Sequence, residues 1–390
     1  MSTRKFVAAA AGLTLALSLA ACGGSGAGDT TNNTPGGDTT ATAEAGGLIG
    51  VSMPTQTSER WIADGTAVKA GLEDLGYTVD LQYGNDDIPT QTQQIDQMIT
   101  NGAKALIIAA IDGTALTSQL EAAAAAGIKV IAYDRLIRDS ANVDFYVTFD
   151  NYEVGVQQAT SLLVGLGLLK EDGSKGEATG PFNIELFAGS LDDNNAHLFW
   201  QGAIDTLQPY FDDGTLVVPS GQMDINQTNI LRWLQETAQA RMENLLTASY
   251  SDGTPLAGVL SPYDGISRGI ITALQNSPSI PGDTIETGLP VVTGQDAEIA
   301  SVKLIVDGVQ FASIFKDTRK LAEQAVVVTQ AFLEGKTPEA NDTTTYDNGV
   351  KVVPSFLLPI DIVYSDTVQS LLVDSGYWTA DEVASGVAAG

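Results

Sequence analysis

The chain is 390 residues long, with 48 acidic against 19 basic residues, a formal net charge of −29, one His and one Cys. So acidic a surface repels nucleic acid and anionic lipid headgroups, which excludes both as ligands, and a lone thiol leaves no internal disulfide to hold the fold. The length is ample for two domains with proper cores.

Arg4 and Lys5 precede an apolar run over residues 6–19, which closes as Leu19-Ala20-Ala21-Cys22. A charged start, an apolar run and a small-residue cleavage site make 1–21 a secretory signal peptide. The run is too short to span about 30 Å of hydrocarbon. Cys22, first after the cut, sits where a bacterial lipobox carries its diacylated cysteine. Residues 23–46 are almost all Gly, Thr, Ala, Asn, Asp and Ser. Such a stretch buries too little apolar surface to offset its ordering entropy, so 22–46 reads as a lipidated residue and flexible tether. Random-coil scaling gives it a reach of about 25–30 Å. The expected location is extracytoplasmic, anchored to the cell membrane through Cys22.

Beyond the tether the pattern alternates. Leu48–Met53 reads as a strand, Trp61–Leu75 as a helix stopped by Gly76, and Val79–Tyr83 as a strand. A helix over Ile88–Asn101 ends at Gly102, and Ala105–Ala109 is a buried strand. Helix Leu116–Ala126 closes at Gly127, and Lys129–Tyr133 and Phe145–Phe149 are further strands. Helix Tyr152–Gly167, a loop over 171–180, strand Phe182–Ala188, helix Ala196–Tyr210 and strand Leu216–Pro219 follow. Next come helix Ile230–Tyr250, strand Val259–Ser261, helix Ile266–Asn276, strand Val291–Gly294, helix Ala297–Asp307, strand Ala312–Phe315 and helix Thr318–Glu334. Apolar strands followed by Gly-stopped helices imply parallel sheets covered on both faces. The count is about twice what one doubly wound sheet needs, so two α/β domains flanking a cleft are expected.

In open α/β sheets, ligands bind beyond the carboxyl ends of strands. The residues found there are Glu59-Arg60-Trp61, Ile111-Asp112-Gly113, Asp134-Arg135, Asp192-Asp193-Asn194-Asn195, Tyr263-Asp264-Gly265, Gln295-Asp296 and Lys316-Asp317. Carboxylates and amides take two adjacent hydroxyls at once, arginine supplies a fork of donors, and aromatic faces cover C–H patches. That set suits a neutral polyhydroxylated ligand. Anionic ligands fit worse, because several carboxylates would oppose Arg60, Arg135 and Lys316.

No enzyme is expected. His197 is the single histidine, no P-loop is present, and no His/Cys cluster has metal-ligand spacing. The Asp pairs at 86–87 and 192–193 lack EF-hand spacing. Neither cofactor nor metal is expected.

The segments ERW, AAIDG, IAYDRLIRD, TFDN, FNIELFAGSLDDNNA, QARMENLL, SPYDG, TGQDAE, FKDTR and NGVKVVPS resemble the periplasmic sugar-binding family. Within it they look like the ChvE-type multiple-monosaccharide binding proteins, from about Leu48 to Tyr377. The resemblance implies a type I periplasmic-binding fold, with two doubly wound domains joined by three crossovers, near Asp150, Lys316 and Val353. One domain would then take 47–150 plus 317–352, the other 151–316 plus 353–390. It further implies a monomer that captures an aldopentose or aldohexose and delivers it to the permease and ATPase subunits of an ABC importer, or presents it to a membrane receptor. The site residues it implies are Arg60, Trp61, Asp134, Arg135, Asn194, Asn195, Asp264, Asp296 and Lys316, with Asp112 and Trp233 as weaker matches. The lipobox departs from the soluble members and points to an envelope without a retaining outer membrane.

Overall fold

The computed structural model describes residues 46–389, so the signal peptide, Cys22 and nearly all of the tether lie outside the described residues. A first lobe opens with β1 (Leu48–Met53), α1 (Glu59–Asp74), β2 (Thr78–Tyr83), α2 (Ile88–Thr100), β3 (Ala105–Ile108), α3 (Thr117–Ala125), β4 (Lys129–Tyr133) and β5 (Phe145–Phe149). The second lobe takes α4 (Asn151–Gly165), β6 (Phe182–Leu186), α5 (Asn194–Asp212), β7 (Leu216–Val217), α6 (Ile225–Thr228) and α7 (Gln235–Ser249). It continues through β8 (Gly258–Leu260), α8 (Asp264–Gln275), β9 (Val291–Val292), α9 (Ile299–Val306) and β10 (Ser313–Phe315). The chain returns to the first lobe for α10 (Thr318–Leu333) and β11 (Ser355–Leu358). It then crosses once more to β12 (Asp361–Val363) and α11 (Ala380–Ser385).

The first lobe holds a six-stranded parallel sheet in the order β11-β5-β4-β3-β1-β2, and the second a four-stranded parallel sheet, β7-β6-β8-β9. The short antiparallel pair β10-β12 runs at the crossovers. Every residue of β3 is buried, Ala105 and Ile107 joining one core and Leu106 and Ile108 the other. Period-2 alternation between two apolar layers explains why the strand reads as a continuous hydrophobic run. Gly76, Gly102 and Gly127 take the left-handed conformation that ends their helices (φ 88°, 83° and 73°). At the opposite ends, Asp87, Asp150, Asp193 and Asp317 cap α2, α4, α5 and α10 through their side chains.

Beyond shifts of a few residues at element ends, two expected boundaries differ in a way that bears on the site. The third crossover is not near Val353, because Ser355–Leu358 pairs in parallel with Tyr146–Phe149 in the first sheet; the chain changes lobe at residues 359–360 instead. The helix expected over Ile230–Tyr250 does not start at Ile230. Arg232 and Trp233 adopt left-handed backbone (φ 57° and 59°), the Arg232 N–H donates to Ser190 Oγ at 2.8 Å, and α7 begins only at Gln235.

Helices α4 and α5 approach so closely that a Cβ on Gly155 would lie 2.1 Å from Phe199 O, and one on Gly202 2.1 Å from Tyr152 O. This tight seam fixes α5 at the lobe boundary and turns Asn195 and Phe199, one helical turn apart, toward the cleft.

Candidate functional site

A cavity of about 360 Å³ lies between the lobes, at the small end of the range for ligand pockets, roughly 300–1,000 Å³. Among the groups lining it is Arg60, near the start of α1, with its side chain 4% exposed. Its guanidinium reaches Asp64 at 3.0 Å and Asp134 at 2.9 Å within its own lobe, and Asp296 of the second lobe at 3.5 Å. Lys316, at the second crossover, sits 3.0 Å from Asp296 and 3.8 Å from Asp134. Two buried cations thus share two cavity carboxylates drawn from opposite lobes.

The electrostatics follow from that sharing. Burial opposes the charge on Asp134, but Arg60, Lys316 and Arg135 outweigh it and hold the carboxyl below its usual range. Asp64, beneath the cavity, is pushed up to about 6 by burial in spite of Arg60, and it accepts a hydrogen bond from Tyr133 Oη. Burial likewise raises Asp193, against the pull of Arg135 at 3.1 Å.

Asp134 follows β4 in a left-handed conformation (φ 60°). Its carbonyl accepts from Tyr146 Oη at 2.6 Å, Thr148 Oγ1 at 2.9 Å and Asn195 Nδ2 at 2.9 Å. Such over-determination is what lets an unfavourable backbone persist at a working site. Asp296 repeats the arrangement after β9, with φ 90°. Both loops therefore aim a carboxylate at one point from facing sheet ends.

Aromatic rings complete the wall. The Arg60 and Arg135 guanidinium carbons lie 4.3 and 5.1 Å from the Trp61 ring centroid, so Trp61 seats the two arginines by cation–π contact. Trp233 packs edge-to-face on Phe199 and Tyr263, with centroids 6.3 and 6.1 Å apart. The rims are closed by contacts between lobes. Ser58 donates to Glu298 at 2.6 Å and the Ile299 N–H to Glu59 at 2.9 Å. Opposite them, the Gly113 N–H donates to Asp192 O at 3.0 Å and Arg232 to Ile111 O at 3.3 Å.

Of the residues expected at the site, Arg60, Trp61, Asp134, Arg135, Asn195, Trp233, Asp296 and Lys316 line the cavity; Asp112, Asn194 and Asp264 do not. The Asp112 carboxylate folds back onto Thr114 N and Oγ1, both at 2.8 Å, while its loop forms the rim. Asn194 opens α5 half-buried, and the inward position falls to Asn195. Asp264 is fully buried below the cavity, accepting from Glu298 N at 2.9 Å, Gln310 Nε2 at 2.8 Å and Ser313 Oγ at 3.0 Å. His197 does not line the cavity; its Nε2 lies 3.1 Å from Leu191 O.

Residues 49–337 match a family model described as the periplasmic binding protein domain. The chain belongs to the periplasmic binding protein family. Among relatives of this binding protein, the multiple sugar-binding periplasmic receptor ChvE of Rhizobium radiobacter is 54% identical over 340 residues, 86% of this chain and 92% of the relative. The D-xylose-binding periplasmic protein of Escherichia coli is 34% identical, over 86% and 92% of the two chains. A solved ABC transporter solute binding protein from Clostridium phytofermentans with bound β-D-glucose superposes with a TM-score of 0.80. It is 45% identical and covered over 99% of its length by 86% of this chain. The chain is a binding protein and not an enzyme.

The binding protein's cavity also contains Phe199 and Arg232, which the sequence does not single out, and Asp193, Gln295 and Tyr263, which lie at expected strand ends but outside the expected site set. Phe199 could have been found as the i+4 neighbour of Asn195 on one helix face. Arg232 could not, because the expected helix hid its turn. Asp264 also makes the stability of the binding protein pH-dependent. Burial, helped by Glu298, pushes its carboxyl from 3.8 up to about 8. A pKa raised by folding contributes stability that is full below the unfolded value and is lost as pH rises through the folded one. Asp264→Asn should therefore flatten the fall in urea midpoint between pH 4 and pH 8. An unchanged slope would contradict the assignment.

Proposed function

We propose that the cavity captures one neutral monosaccharide, an aldohexose or aldopentose, for delivery to the permease and ATPase subunits of an ABC importer. The observation that carries this reading is the pairing of Asp134 and Asp296 with Arg60 and Lys316. The carboxylates accept from hydroxyls, while the cations donate to ring and hydroxyl oxygens. Trp233 and Phe199 offer apolar surface beside them. The near balance of charge favours a neutral ligand over an anionic one. The glucose held by the Clostridium phytofermentans relative supports a hexose as one ligand.

One copy of the chain contributes every residue named at the site, so a monomer suffices. Contacts at both rims describe a shut cleft, and its outer surface would be what an importer, or a membrane receptor, reads after hinge closure. Thermal unfolding against a panel of monosaccharides tests the proposal. A bound sugar at a hundredfold excess over its Kd should stabilise the protein by about 2.7 kcal/mol. A sugar phosphate should give no shift, and absence of a shift with every neutral sugar would overturn the reading.

The proposed anchor is a lipid on Cys22, supported by the charged start, the apolar run and the small residues before it. Cys22→Ser should move the protein from the membrane fraction to the medium with its sugar affinity intact. Retention of the Cys22→Ser variant on the membrane would refute the anchor.

A further inference from the structure

The turn that carries Asp296 has an unusual backbone. Asp296 and Ala297 are consecutive non-glycine residues in left-handed conformation, with φ 90° and 48°. Left alone, such a turn relaxes. Three of its N–H groups are held from inside the second lobe: Asp296 N by Ile314 O at 2.8 Å, Ala297 N by Ser313 Oγ at 3.0 Å, and Glu298 N by Asp264 at 2.9 Å. A fourth hold comes from the opposite side. Trp378 Nε1 donates to the Ala297 carbonyl at 2.9 Å.

Trp378 belongs to the tail that follows β12, beyond the residues matched by the family model. It does not line the cavity. Its neighbour Tyr377 stacks edge-on against Trp378 and against Phe315 of β10, with centroids 5.2 and 4.7 Å apart, and pairs with Thr318 Oγ1 at 3.2 Å. The tail is thereby fastened on both sides of Lys316, the cation that faces Asp296 at 3.0 Å.

We infer that Trp378 is a positioning residue for ligand binding. Its indole N–H locks the Ala297 carbonyl and so keeps the Asp296 carboxylate aimed at Arg60, Lys316 and the bound sugar. The inference rests on the reading of the cavity as a monosaccharide site. It makes the C-terminal tail part of the binding apparatus, acting through the turn and not by contact with the ligand.

The test is a double-mutant cycle read by calorimetric titration with D-glucose. Trp378→Phe keeps a ring in place and removes the N–H; it should weaken binding about three- to tenfold. The same substitution in an Asp296→Asn background should cost nothing further, because the carboxylate it positions is gone. Trp378→His, which restores a ring N–H, guards against a folding failure of the Phe variant and should bind more tightly than Trp378→Ala. Equal losses in both backgrounds, or no loss in the first, would overturn the inference. If the unsubstituted protein binds no neutral sugar at all, the reading of the cavity itself is what fails.

Discussion

Replacing Arg60 with Met should destabilise the protein by about 3–5 kcal/mol and abolish measurable sugar binding. Arg60 is the shared counter-ion of Asp64, Asp134 and Asp296, and all four side chains are at most 6% exposed. Methionine fills much of the volume but leaves Lys316 as the one cation within 4 Å of Asp134 and Asp296, while Asp64 keeps only the Tyr133 hydrogen bond. Burial already pushes Asp64 up to about 6, and losing Arg60 removes the largest influence that opposes it. The sign of the pH dependence follows. Asp64 would then have a folded pKa still further above its unfolded one, so the deficit should be greatest at neutral pH and shrink as acid neutralises it. Urea denaturation at pH 7.5 and at pH 5 measures this directly. A variant as stable as the parent at both values would show that the buried cluster is not held by Arg60.

Asp134→Ala should leave the fold largely intact and weaken sugar binding by about 2–3 kcal/mol, roughly 30- to 140-fold. The carboxylate is held below its usual range against the cost of burial, so it presents two charged acceptor oxygens to a ligand. Alanine removes both and leaves Lys316 with Asp296 as its remaining carboxylate. Asp134→Asn keeps one acceptor in the same place and should lose less. Calorimetric titration of both variants beside the parent checks the order. Equal affinity in all three would remove Asp134 from the site.

How much of this is legible in the sequence differs from residue to residue. Buried strands such as Ala105–Ile108 and the left-handed Gly76, Gly102 and Gly127 announce themselves, because apolar runs and glycine stops are local signals. The strand Ser355–Leu358 falls in the other lobe from the one expected, because its partner Tyr146–Phe149 lies about two hundred residues earlier and no local pattern encodes a non-local pairing. Acidic residues after strands are ambiguous for a physical reason. The same position serves as an N-cap, as at Asp317, as a buried anchor, as at Asp264, or as a cavity group, as at Asp134 and Asp296. Residue type and spacing are shared by all three; what separates them is the direction of one turn. That turn alone keeps Asp112 and Asn194 out of the cavity, each within two residues of a group at the rim or in the cavity.

The central claim is that the space between the lobes is a binding site for a single neutral monosaccharide. Isothermal titration of the tether-free module with D-glucose, D-xylose and L-arabinose tests it most directly. At least one of these should bind at a stoichiometry of one, with the affinity sharply reduced by Asp134→Ala. Absence of binding heat with every neutral sugar, or binding indifferent to that substitution, would contradict it.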